Sequence, residues 1–103
     1  MVRFLVLYQP PTNVEAFEQH YFEVHVPLAK RLPGLRRYTV GRNPSPLRGP
    51  DPCYLVAELD WDDMHSLRKD FASPLGQEIA SDVDKLAAWC PAIHSMIFEL
   101  EDL

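Results

Sequence analysis

The order in which strand-forming and helix-forming stretches alternate constrains this chain more than any other feature. Arg3 to Gln9 (RFLVLYQ) is a short apolar run rich in strand formers, stopped by Pro10-Pro11. Thr12 then offers a helix N-cap with Glu15 three residues on, and Val14, Phe17, Tyr21, Val24 and Leu28 follow at helical spacing as an inward stripe. Pro27 lacks the N–H that would reach the carbonyl of Glu23, so the helix is expected to kink or restart near His25. Strand character resumes after Leu32-Pro33-Gly34, from Leu35 to Arg42. Residues 43 to 52 (NPSPLRGPDP) read as an exposed loop, and Cys53 to Trp61 (CYLVAELDW) as a third strand. Asp62 or Asp63 caps a helix through Met64, Leu67 and Phe71, and Ser73-Pro74 restarts helix with Leu75, Ile79, Val83 and Leu86 on one face. Ala92 to Leu100 (AIHSMIFEL) is the last strand.

The resulting order, β-α-β-β-α-β, is the ferredoxin-like or split βαβ arrangement: an α+β fold with an antiparallel sheet and both helical layers on one face. At 103 residues the chain is expected to form a single domain over residues 1–103. Phe4, Val6 and Tyr8 alternate with Leu5 and Leu7, and Ile93 and Ile97 with Met96 and Phe98, so both faces of the first and last strands are apolar. Helices on one face leave the other uncovered. Pairing of two sheets face to face removes that exposure, and the expected assembly is a homodimer, a dimeric α/β barrel.

Several functions are excluded or disfavoured. A formal net charge of -5, with no basic cluster longer than Arg36-Arg37, gives no footprint for nucleic acid. No apolar run approaches the roughly 18 residues that span a bilayer, so no membrane partner is expected. Two cysteines, Cys53 and Cys90, suit a pair of reduced thiols in a cytoplasmic protein better than a disulfide framework. Nucleotide-binding and metal-binding signatures are missing, and neither cofactor nor metal is expected.

What remains is a concentration of aromatic and imidazole groups. On an α-helical wheel His25 lies at the margin of the inward stripe, one turn from Tyr21, where it can exchange a proton near neutral pH; the same spacing fits a helix-end histidine bonded to nearby carbonyls. His20 falls on another side of the wheel and is expected in solvent. Tyr38 sits mid-strand, where a phenol packs its ring and bonds through its hydroxyl, and both it and Tyr21 also read as core aromatics. His94 is either a pocket residue or a satisfied core histidine. Tyr21, His94 and Trp61 are the candidate ligand contacts. Asp60, Asp62 and Asp63 are explained by helix capping, and one of Arg36 and Arg37 could face a pocket and hold an anion.

The stretch Tyr21-Phe22-Glu23-Val24-His25-Val26-Pro27-Leu28-Ala29-Lys30, followed by Leu32-Pro33-Gly34-Leu35-Arg36-Arg37-Tyr38, resembles the signature of the EthD family: an aromatic residue, H-x-P-L-A, then P-G-L-x-x-Y. The resemblance implies a dimeric α/β-barrel subunit with its cavity between helices and sheet. It also implies that His25 and Tyr38 are the site pair, the first moving a proton and the second polarising an oxygen. Relatives of that family include cofactor-free isomerases and oxygenases, and members resemble auxiliary proteins of ether degradation. The expected function is the cofactor-independent handling of a small oxygenated compound in a catabolic pathway. The alternative is a non-catalytic binding protein of an ether- or aromatic-degradation pathway.

Overall fold

The computed structural model describes residues 1–49 and 53–103; the last part of the expected 43–52 loop lies outside the described residues. Four strands, β1 (Val2–Tyr8), β2 (Leu35–Arg42), β3 (Leu55–Trp61) and β4 (Ile93–Glu99), form one antiparallel sheet in the order β2-β3-β1-β4. Between β1 and β2 run α1 (Val14–His20), a π-helical turn (Tyr21–His25) and α2 (Val26–Ala29); α3 (Met64–Ala72) and α4 (Pro74–Ala87) connect β3 to β4. This is the ferredoxin-like α+β fold.

Register divides the sheet into two faces. Val2, Phe4, Val6 and Tyr8 stand opposite Trp61, Leu59, Ala57 and Leu55, and these side chains meet the helices. Phe17, Tyr21, Leu67 and Leu86 close the core from above, all fully buried. The other face carries Leu5 between Glu58 and Met96, Leu7 between Val56 and His94, and Arg3 between Asp60 and Phe98. Arg3 grips Asp60 through Nε at 2.8 Å and Nη2 at 3.1 Å. Met96 is half exposed on this side.

One local expectation is corrected and another takes a specific form. The cap of α1 is Asn13, not Thr12: its side-chain oxygen accepts from the amide of Ala16 at 3.0 Å. Thr12 is diverted, donating its amide (2.8 Å) and hydroxyl (3.3 Å) to the carbonyl of Trp89 just beyond α4. The break expected near His25 is present, and α-helix resumes at Val26 beyond it. The chain widens into the π-helical turn, in which the amide of Val26 donates to the carbonyl of Tyr21, five residues back. Pro27 then occupies the first turn of α2.

The wider turn changes which residues face inward. Phe17, Tyr21, His25 and Ala29, each four apart, are buried, whereas Val14 and Val24, placed inside by an α-helical wheel, are 47% and 44% exposed. His25 is therefore central to the stripe instead of marginal. At the α3–α4 junction Ser73 caps α4 by accepting from the amide of Gly76 at 3.0 Å. A Cβ on Gly76 would lie 2.1 Å from the carbonyl oxygen of Asp70, so only glycine lets the two helices meet there.

Candidate functional site

Between sheet and helices lies a cavity of about 280 Å³. Its walls are aliphatic and aromatic: Phe4, Trp61 and Phe71 form one aromatic corner, with Phe71 edge-on to both others at 5.1 and 5.7 Å between ring centres. The polar side chains lining it are few, chiefly His25, Tyr38 and Ser95, and no lysine or arginine is among them.

His25, at the end of the π-helical turn, is 5% exposed and its Nδ1 lies 2.8 Å from Oδ2 of Asp82. Asp82, 4% exposed on α4, has its other oxygen, Oδ1, 2.8 Å from Nε2 of His20. An ionised carboxylate only accepts, so both imidazoles present N–H groups to it. That assignment leaves His25 with Nδ1 protonated and Nε2 carrying a lone pair, and Nε2 has no hydrogen-bond partner among the described residues. Burial lowers the pKa of His25, against the opposing pull of Asp82, and favours the neutral imidazole. Burial works to raise the pKa of Asp82, but the hydrogen bonds and charges of His20 and His25 together outweigh it and hold the carboxyl below its ordinary value. The tyrosine ring of residue 21 stacks on the imidazole of His25 at 5.6 Å and 24°.

Tyr38 reaches the cavity from β2, and its hydroxyl lies 2.7 Å from that of Tyr21. Burial pushes the Tyr38 phenol up to about 12 and drives Tyr21 higher still. Both stay protonated. If Tyr21 donates to Tyr38, the Tyr38 proton is free to point at a ligand oxygen.

The structure thus brings His25, Tyr38 and Trp61 to one cavity. Trp61 is fixed by its Nε1–H, which donates to Oδ2 of Asp70 at 2.8 Å, and the same oxygen accepts from the amide of Gly34 at 2.9 Å. Tyr21 is one layer behind: it is wholly buried and acts on the cavity through Tyr38. His94 does not join them. It lies exposed on the opposite face of the sheet beside Leu7, because β4 alternates and Ile93 and Ser95 take the inward positions. His20, expected in solvent, is turned in by Asp82. Arg36 is paired with Asp62 at 2.7 Å on the surface, and Arg37 is exposed. Cys53 and Cys90 are free thiols, and neither lines the cavity.

Asp82 and Asp70 are the site residues that sequence reasoning missed. Asp82 carried a legible sign: Leu75, Ile79, residue 82 and Leu86 fall on one helical face, and an acid on such a stripe needs a buried partner.

The site makes stability depend on pH in a defined direction. His25 has a folded pKa below its ordinary 6.5, so the unfolded chain binds a proton more readily and stability is lost as pH falls through 6.5. Asp82, depressed below its ordinary 3.8, adds a second loss as pH falls below that value. Urea midpoints measured across pH 8 to 3 should show both declines, and His25→Gln should remove the upper one.

An antiparallel sheet under one helical layer, with an imidazole–carboxylate pair and a phenol on an apolar cavity, defines a ferredoxin-like α+β protein built around a small internal chamber. The model of the EthD domain matches residues 9–88, and the chain belongs to the EthD family. It is 34% identical, over 88 residues covering 85% of each chain, to an uncharacterized 11.0 kDa protein of the thcB-thcC intergenic region of Rhodococcus erythropolis. Among solved structures it resembles an ethyl tert-butyl ether d (EthD) family protein from Bacillus halodurans C-125, with 34% identity, 98% and 99% of the two chains covered and a TM-score of 0.86. At 22% identity, with 99% and 94% covered and a TM-score of 0.69, it shares its fold with SnoaB, a cofactor-independent oxygenase from Streptomyces nogalater.

Proposed function

We propose that the protein is a cofactor-independent catalyst of proton transfer on a small, neutral, oxygenated compound. The observation that carries this reading is the His25–Asp82 pair, whose geometry leaves Nε2 of a neutral imidazole free at the wall of an apolar cavity. In this reading Nε2 takes a proton from a carbon next to a carbonyl, and Tyr38 donates a hydrogen bond to the oxygen as it gains negative charge. Asp82 stabilises the imidazolium that forms. The imidazolium then returns the proton, to the same carbon or to another, and an isomerisation results in the second case. The fold shared with a cofactor-independent oxygenase extends the reading, since the deprotonated compound is also the electron-rich species an oxygenation begins from.

The neutral charge of the substrate follows from the lining. A carboxylate would enter a space without lysine or arginine and lie near the buried charge of Asp82, leaving its desolvation uncompensated. The protein is further proposed to act as a homodimer closed through the sheet face of Leu5, Leu7, Met96 and Phe98, which the helices leave uncovered.

The test is deuterium uptake, followed by NMR, into neutral lactones and cyclic ketones incubated with the protein in D₂O. Compounds that take up deuterium with the wild type should lose about 10²–10⁴-fold in rate with His25→Gln. Compounds that raise the melting temperature yet never exchange would replace this reading with that of a binding protein.

A further inference from the structure

The two oxygens of Asp82 are divided between two imidazoles, one at the end of α1 and one at the end of the π-helical turn, each 2.8 Å away. We propose that His20 is a positioning residue that sets the basicity of His25 through the carboxylate the two histidines share. The inference rests on the reading of His25 as the proton acceptor, and it assigns His20 no contact with substrate.

Two physical effects join here. A carboxylate bonded at one oxygen can swing about its Cβ–Cγ axis; with Oδ1 tied to His20, Oδ2 stays in line with Nδ1 of His25 and the productive tautomer is maintained. The second effect is charge. Asp82 has one negative charge to offer, and in a buried setting it can fully stabilise one imidazolium, not two. When His20 carries a proton, the charge of Asp82 is neutralised from outside and His25 is held as the free base. When His20 is neutral, the whole charge faces His25 and favours the imidazolium formed as a substrate proton arrives. The positive charge of a protonated His20 also acts on His25 directly, in the same sense.

The placement of His20 suits this role. Its side chain retains 18% exposure against 7% for His25, so it can exchange protons with solvent while His25 cannot do so readily. Its ring lies 5.5 Å from that of Trp89. The other groups around the shared carboxylate do not supply a competing net charge. Glu23 and Arg31, from the π-helical turn and just past α2, and Glu78 and Lys85 of α4 line the groove beside Asp82 and balance one another. Tyr8 and Tyr21, beneath, are phenols that burial keeps protonated.

The experiment is an NMR titration of the ¹⁵N-labelled imidazoles in the wild type, His20→Gln and His20→Ala. A glutamine amide can still donate to Oδ1 but never carries a charge, so His20→Gln should move the titration of His25 to higher pH by about half a unit or more. In His20→Ala the charge is removed and the tie to Oδ1 is lost as well, so the Nδ1–H resonance of His25 should also broaden. A His25 titration identical in wild type and both variants, each showing a native amide spectrum, overturns the proposal. Because the readout needs no turnover, a shifted His25 in a protein that catalyses no deuterium exchange would keep the coupling and remove the catalytic reading.

Discussion

Asp82→Ala is expected to lower stability by about 2–3 kcal/mol and to abolish deuterium exchange in the compounds that the wild type turns over. The larger part of the stability loss comes from His25, whose Nδ1–H would lose its acceptor in a place where it is 5% exposed and water cannot replace it. His20 can turn back to solvent at little cost. Asp82→Asn separates structure from chemistry. Its carbonyl oxygen satisfies one imidazole N–H, but its NH₂ group faces the other imidazole and demands a lone pair there. Wherever that mismatch falls on His25, the proton moves to Nε2 and the base is lost to the cavity. Urea denaturation with the exchange assay reads both: Ala should lose stability and exchange, and Asn should lose exchange at a much smaller cost in stability. An Asp82→Asn protein that exchanges at the wild-type rate while NMR places the His25 proton on Nε2 would show that the tautomer does not matter.

Leu5→Asp should convert the proposed dimer to single chains. Leu5 stands at the centre of the uncovered sheet face, between Glu58 and Met96. The substitution removes about 1.5–3 kcal/mol of burial from each of two copies and sets a new acid beside Glu58, so the dissociation constant should rise about 10²–10⁴-fold. The variant should also unfold at lower temperature, since the chains no longer cover each other. Sedimentation velocity at micromolar concentration decides it, and a wild type of single-chain mass would end the dimer proposal before any variant is made.

The fold was legible because its strands carry their own punctuation. Pro10-Pro11, Pro33-Gly34 and Ser73-Pro74 mark ends and starts that no tertiary contact overrides, and the alternation of Phe4, Val6 and Tyr8 with Leu5 and Leu7 reads directly as a two-faced strand. The location of His25 and Tyr38 came through the likeness of H-x-P-L-A and P-G-L-x-x-Y to a known signature. Their spacing alone also fitted a helix-end histidine and a core aromatic. What escaped was set by partners distant in sequence. His20 reads as a surface residue until Asp82, 62 positions later, is brought against it. His94 has the alternation of a strand residue, but which face meets the helices depends on the pairing of β4 with β1. Thr12 has the chemistry of a cap, yet the carbonyl of Trp89 claims it.

The π-helical turn also holds one residue more than an α-helix would need there. Five residues of π-helix turn the chain through about as much as four of α-helix, at about 100° each, so Phe17 and Tyr21 before the turn and His25 and Ala29 at its end and beyond stay on one side. Losing one residue between Tyr21 and His25 would relax the turn to ordinary α-helix with core and site still aligned. Gaining one would rotate His25 and Ala29 away by about 100°, unless the helix opened a second bulge. In related sequences this stretch should therefore be found one residue shorter more readily than one residue longer.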